Sequence, residues 1–233
     1  MKIKTAMILA AGYGKRLKLI TKKIPKPLVK VYDKPLLSYA IDSLYALGIE
    51  KIIINTHYKA GLIKDYIISN YKSSKIVLTY EPRLLNTGGG VKNVLKYIKE
   101  NMILVINCDT FWNKKTRSDL KNLLLTHNNS LYKCSLLLSD LNKSFGIENN
   151  KGDFLFKNKH VLRNYLYNKG FIYSGAQIID KSILNLLSKN VFSFNEIWDS
   201  LIKEKKITAV LMKSDLLHLG TTKSFNFLNK FRP

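Results

Sequence analysis

Apolar residues fall along this chain with two alternating periods. Short, almost wholly apolar runs at Ala6–Leu9, Lys51–Asn55 and Met102–Ile106, bounded by charged or turn residues, predict strands buried on both faces. Ile76–Tyr80 alternates and predicts another strand between the second and third of these. Leu36–Leu47 carries Leu37, Ala40, Ile41, Leu44 and Tyr45 at helical spacing and is stopped by Gly48. Gly61–Asn70 and Val91–Lys99 predict two further helices. Strands and helices taken in turn imply a parallel sheet with helices on both faces.

Past Thr116 the pattern changes. A helix at Leu120–Thr126 and a strand at Cys134–Leu138 continue the alternation. Residues 146–161 are turn-rich and include Asn149-Asn150-Lys151-Gly152-Asp153, which predicts hairpins. A strand over Phe171–Ile179 has Gly175 at its centre. Helices at Ile183–Leu187 and Asn195–Lys203, a strand at Ile207–Met212 and a helix at Ser224–Lys230 complete the chain. No linker, repeat or low-complexity tract interrupts it. The predicted fold class is α/β: one domain over residues 1–233, a doubly wound, mixed and mainly parallel sheet with small hairpin insertions.

At 233 residues, 46% hydrophobic and 24% charged, the composition is that of an ordinary globular protein. No apolar run is long enough to span a membrane, and the first residues lack a secretory core, so neither a membrane nor export is expected. Cys108 and Cys134 lie in apolar runs without metal-ligand spacing; reduced core thiols and a cytoplasmic location are the expectation. The net charge of +23 favours anionic partners. The lysines are dispersed and accompany many isoleucines and asparagines, so a compositional origin outranks a nucleic-acid face, and no nucleic-acid partner is expected. Oligomeric state leaves no mark in the pattern.

The chemistry begins just after the first predicted strand, at Ala10-Ala11-Gly12-Tyr13-Gly14-Lys15-Arg16, with Pro25-Lys26-Pro27 further on. Glycines bring backbone amides close to a ligand, and Arg16 and Lys26 place fixed positive charge where phosphate oxygens would lie. The spacing is not that of a Walker loop, and Leu17 stands where a dinucleotide fingerprint needs its third glycine.

Three more groups fall at the same predicted sheet edge, where open α/β sheets bind ligands. In Asn107-Cys108-Asp109, the carboxylate is either a metal ligand set against phosphate or a cap for the next segment. In Glu81–Gly90, the run Asn86-Thr87-Gly88-Gly89-Gly90 opens a helix; its glycines admit a flat ligand, or serve as spacer after simple caps. In Leu217-His218-Leu219-Gly220-Thr221, His218 is a candidate metal ligand or phosphate donor, or a structural hydrogen bonder.

Taken in order, Leu9-Ala10-Ala11-Gly12-Xaa-Gly14-Xaa-Arg16-Leu17, Pro25-Lys26-Pro27-Leu28, Thr87-Gly88-Gly89-Gly90, Asn107-Xaa-Asp109 and Gly220-Thr221 resemble the sugar-1-phosphate nucleotidyltransferase family. The short length and the Leu85-Asn86-Thr87-Gly88-Gly89-Gly90 form are most similar to its N-acetylmuramate-1-phosphate uridylyltransferases, with mannose-1-phosphate guanylyltransferase-like proteins close behind. The resemblance implies a Rossmann-like nucleotidyltransferase fold. It implies transfer of NMP from an NTP, UTP favoured, to N-acetylmuramate 1-phosphate or a hexose 1-phosphate, releasing pyrophosphate. GTP with mannose 1-phosphate, or a non-sugar phosphate acceptor, is the alternative. A nucleotide-sugar-binding regulator without turnover is the alternative of another class.

Residue by residue, the resemblance assigns catalysis to Arg16, Lys26 and Asp109, and nucleotide binding to Ala11, Gly12, Gly14, Thr87, Gly88, Gly89 and Asn107. Gly175 would lie along the sugar. Asp109 and His218 would hold Mg²⁺, or Mn²⁺ in its place. Two positions depart from the family pattern: His218 stands where a second metal carboxylate is usual, and Asn86 where a glutamate is common.

Overall fold

Four parallel strands carry the site: β1 (Thr5–Leu9), β2 (Lys51–Thr56), β3 (Ile76–Tyr80) and β4 (Met102–Asn107). In the computed structural model, which describes residues 3–17, 19–71, 75–127, 131–148, 151–165 and 170–230, they lie side by side as β4-β1-β2-β3. The helices α1 (Leu36–Ala46), α2 (Ala60–Asn70) and α3 (Asn86–Asn93) alternate with them in sequence. Successive strand residues serve opposite cores. Ala6, Ile8, Ile52, Ile54, Leu104 and Ile106 join one cluster, with Leu37, Ile41 and Leu44 of α1. Met7, Ile53, Ile103 and Val105 join the other, with Val91 of α3. Burial on both faces is why these strands read as unbroken apolar runs.

The rest of the sheet is built from α4 (Lys114–His127), β5 (Cys134–Asp140), the hairpin β6 (Phe154–Lys157) and β7 (His160–Arg163), β8 (Phe171–Asp180), α5 (Phe194–Lys203), β9 (Ile207–Leu211) and α6 (Thr222–Lys230). β8 runs antiparallel to β4 along Ala176–Asp180 and antiparallel to β5 along its length, and β9 adds to β5 in parallel. Between Tyr173 and Ala176 the register against β5 slips, leaving Ser174 and Gly175 as a bulge. Gly175 has φ +89, a conformation that favours glycine, and a Cβ there would stand 3.0 Å from that of Asn107.

Several boundaries differ from expectation. α3 starts at Asn86 and takes in all three glycines, and the turn at Leu95–Tyr97 is 3-10 rather than a continuation of the helix. α4 starts at Lys114, ahead of its apolar stripe, because Asn113 Oδ1 accepts the Lys115 and Thr116 amides. The segment expected as a helix near Ile183 is a 3-10 turn, Lys181–Asn185, capped by Asp180. The hairpin expected in 146–161 is β6–β7, but Asn149 and Asn150 lie outside the described residues. Cys108 and Cys134 are free and buried.

Register fixes the site. Leu9 pairs with Asn55 on one side and Asn107 on the other, so the chain leaves β1, β2 and β4 at one level. Asn55 is 3% exposed; its Oδ1 accepts the Ala10 amide at 2.9 Å and its Nδ2 donates to Glu81 Oε1 at 2.7 Å. Glu81 Oε2 in turn accepts the Leu85 amide at 3.1 Å. Asn55→Ala would leave a buried amide and a buried carboxylate oxygen without these partners, and is expected to destabilise by roughly 1–3 kcal/mol. Urea unfolding checks this: the midpoint should fall at unchanged slope.

Candidate active site

A cleft of about 580 Å³ opens beyond the carboxyl ends of β1, β2 and β4. Ala11, Gly12, Gly14, Arg16, Lys26, Thr87, Asn107 and Asp109 all line it. The glycine loop forms its floor. Gly14 has φ +65, and its missing side chain makes room for Thr21 and Lys26, so its role is local geometry. Gly12 is different: a Cβ there would meet nothing within 4 Å. Among the described residues, the amides of Ala11 and Gly12 have no acceptor. Unpaired amides in a concave loop make an anion-binding nest.

Asp109 is the electrostatic centre. Its Oδ2 accepts from Lys26 Nζ at 2.8 Å and faces His218 Nε2 at 3.2 Å. Its Oδ1 is buried and has no partner among the described residues. Burial pushes the Asp109 pKa up, but the Lys26 charge and then His218 outweigh it and hold the carboxyl well below its ordinary value. The group is therefore a carboxylate at neutral pH. Lys26 is delivered by the 3-10 turn Lys26–Leu28, where Pro25 and Pro27 restrict the backbone on either side. Arg16 stands at the rim, its side chain about half exposed and 3.4 Å from Glu148.

A buried carboxylate oxygen without a partner, on a residue that lines a phosphate-sized cleft, fits a divalent cation that completes its shell with substrate oxygens and water. Among the described residues no cluster of three or more His, Cys, Asp or Glu side chains is present. His218, expected as a second ligand, stands beside Asp109. Its Nδ1 lies 3.3 Å from the Gly146 carbonyl and its Nε2 faces Asp109. Both ring nitrogens thus stand within 3.3 Å of a protein oxygen. In this geometry His218 braces Asp109.

Gly88 and Gly89 also depart from expectation: they are buried and do not line the cleft. Both amides donate to the Phe192 carbonyl, at 3.0 and 3.1 Å. A Cβ at Gly88 would stand 2.3 Å from the Phe192 ring, and one at Gly89 would stand 2.2 Å from the Asn190 carbonyl oxygen. The glycines admit another part of the chain. Thr87 does line the cleft, with its Oγ1 accepting the Phe194 amide. Gly175 lines an adjoining cavity of about 300 Å³. Glu81 and Gly220, which stand in the quoted segments without an assigned role, also line the cleft, as does Asn55, which no quoted motif includes, although an asparagine near the end of a buried strand marks it much as it marks Asn107.

The family model described as "Nucleotidyl transferase" matches residues 5–155, which include the loop, Lys26 and Asp109. The chain belongs to the nucleotidyl transferase family. Among its relatives, the D-glycero-alpha-D-manno-heptose 1-phosphate guanylyltransferase of Campylobacter jejuni is 31% identical over 94% of this chain and 96% of its own length. The N-acetylmuramate alpha-1-phosphate uridylyltransferase of Caulobacter vibrioides is 27% identical over 93% and 92%. A crystal structure of HddC from Yersinia pseudotuberculosis complexed with GMP-PN superposes with a TM-score of 0.78, at 28% identity, over 99% of this chain and 100% of that one. These relatives set the present nucleotidyl transferase among the sugar-1-phosphate nucleotidyltransferases. Among the described residues, no helix is long and apolar enough to cross a membrane.

Two substitutions separate the ligand loop from the packing glycines in this nucleotidyl transferase. Gly12→Ala should leave stability within about 0.5 kcal/mol of wild type while weakening NTP binding. Gly89→Ala should cost roughly 1–3 kcal/mol by overpacking. Thermal unfolding with and without a non-hydrolysable NTP analogue reads both. The role of His218 is checked by pulsed EPR of Mn²⁺ bound with that analogue: no ¹⁴N coupling from His218 is expected. A coupling that disappears in His218→Ala would make it a ligand.

Proposed function

We propose that the protein transfers a nucleoside monophosphate from an NTP to a sugar 1-phosphate in the cleft at the ends of β1, β2 and β4. The observation that carries this reading is the contact of Lys26 with Asp109 beside the open glycine loop, which leaves one carboxylate oxygen bare. The unpaired amides of Ala11 and Gly12, with Arg16 at the rim, receive the β- and γ-phosphates. Asn107 stands between the nucleotide and the cavity that Gly175 lines. A divalent cation, Mg²⁺ by the oxygen-rich donor set or Mn²⁺, would be held through Asp109 Oδ1 and would draw charge from the phosphate oxygens.

An oxygen of the sugar 1-phosphate attacks the α-phosphorus and forms a new P–O bond. The bond from the α-phosphorus to the bridging oxygen breaks, and pyrophosphate leaves with the electron pair. The attacking oxygen is already ionised, so no protein base is required. The work of the chain is to bring two anions together and to stabilise the charge that builds between them. Lys26 is placed for this, with its ammonium buried against Asp109 and its stem packed under Gly14.

A panel of GTP, UTP, ATP, CTP and dTTP against sugar 1-phosphates, scored by pyrophosphate release with Mg²⁺ and again with Mn²⁺, tests the reading. GTP and UTP are the donors that the relatives' names suggest. Lys26→Ala should lower kcat by about 10²–10³-fold, the usual cost of losing one preorganised charge-stabilising donor. Turnover near wild type in that variant overturns the assignment, and nucleotide binding without any pyrophosphate release favours a regulator.

A further inference from the structure

From Leu9 to Arg16, every residue except Tyr13 lines the main cleft. The Tyr13 ring lies instead against His57 and Tyr58, the two residues that follow β2, with ring centroids 5.2 and 5.5 Å away. Its hydroxyl stands 3.0 Å from His57 Nε2, and His57 Nδ1 stands 2.7 Å from the Glu81 carbonyl oxygen. A carbonyl oxygen can only accept, so Nδ1 is the donor there, and the neutral ring leaves Nε2 to accept from the phenol. A protonated ring would donate to the phenol oxygen instead. The contact is kept in both charge states.

These bonds complete a circuit around the loop. The Glu81 carbonyl takes His57, and the Glu81 carboxylate takes Asn55 Nδ2 at 2.7 Å. Asn55 Oδ1 in turn accepts the Ala10 amide at 2.9 Å. Ala10 and Tyr13 are thus both tied to Glu81, and between them lie Ala11 and Gly12, whose amides have no acceptor among the described residues. Tyr58 extends the same support: its hydroxyl donates to the Thr21 carbonyl at 3.0 Å, while Thr21 Oγ1 donates to the Gly14 carbonyl at 3.2 Å.

A glycine-containing loop left free would lose backbone freedom when it closes on an anion, and that loss weakens binding. Fixing both ends during folding removes most of it. We propose that Tyr13 and His57 are positioning residues for the β- and γ-phosphates: their contact fixes the far end of the loop, so the amides of Ala11 and Gly12 keep one arrangement before nucleotide arrives. This rests on the phosphate placement proposed above. Neither side chain touches the nucleotide itself.

The test is isothermal titration of the full chain with Mg²⁺, using the β,γ-imido analogues of GTP and UTP beside GMP and UMP, and carrying forward the base that binds more tightly. Tyr13→Phe keeps the ring against Tyr58 and beneath Lys15 Nζ, which lies 5.4 Å from its centroid, and removes only the hydroxyl. It should weaken the triphosphate analogue about fivefold, the usual worth of one hydrogen bond, and leave the monophosphate within about twofold of wild type. His57→Ala should act in the same way. The double variant should bind no more than about twofold worse than the weaker single one, since both changes break one contact. Unaltered triphosphate affinity in Tyr13→Phe overturns the proposal. So does an equal loss for the monophosphate, which would make the contact a general support of the fold, and so do losses that multiply in the double variant. If His57→Ala does not fold, Tyr13→Phe decides alone. A wild type that holds the triphosphate no more tightly than the monophosphate is a different failure, that of the phosphate site itself; it is seen before any variant is made and takes this proposal with it.

Discussion

Parallel register is the constraint on which the site depends. Because Leu9 is flanked by Asn55 and Asn107 in one row, three chain segments leave the sheet at one height and turn over one another. Asn55 then converts register into loop geometry by taking the Ala10 amide, the last before the glycine loop. Buried polar groups of this kind tolerate few alternatives, since each unmade bond costs as much as a core defect. The loop is therefore pinned at Ala10, while among the described residues the next two amides, of Ala11 and Gly12, have no acceptor. A rigid base with open amides is what an anion site requires.

Charge obeys the same division. Lys26 and Asp109 come from elements more than eighty residues apart, yet they meet at 2.8 Å inside the cleft. The pair is close to neutral, so it can be buried, and it leaves one oxygen of the carboxylate unused. Arg16 is arranged oppositely, exposed at the rim with a loose acidic neighbour, where an incoming phosphate can draw it away. The overall charge of +23 adds a long-range attraction for such ligands that salt weakens. The proposed phosphate site rests on the local arrangement rather than on the total.

The strands were legible because helices cover both sheet faces, and an unbroken apolar run has few other uses. What was not legible is contact between distant segments. Three glycines before an apolar stretch suggest a ligand brushing the backbone, but Phe192, a hundred residues on, occupies that space. No local pattern encodes that choice. The early start of α4 was encoded, in Asn113, but its first turn is polar and carries no periodic signal. Asn55 closes its strand as Asn107 does, yet its value lies in the partners it meets across the sheet, which stand far from it in the chain. His218 belongs legibly to the site, whereas its orientation depends on the Gly146 carbonyl, from a segment that approaches only after folding.

The two halves of the sheet differ in kind. The parallel half carries the glycine loop and the charged pair, and the residues that match the family description, 5–155, cover it fully. The two cavities beside the cleft draw on residues nearer the C-terminus, among them Arg163, Tyr173, Gly175 and Trp198. β8 bulges at Ser174 and Gly175 where it passes them. Before the bulge the strand meets Phe154 of β6, and after it the strand meets β4. A side chain at Gly175 would bring its Cβ to 2.9 Å from Thr110 Oγ1 and 3.0 Å from Asn107 Cβ. The cavities are nevertheless not independent of the matched stretch, since Asn107 and Asp153 line both.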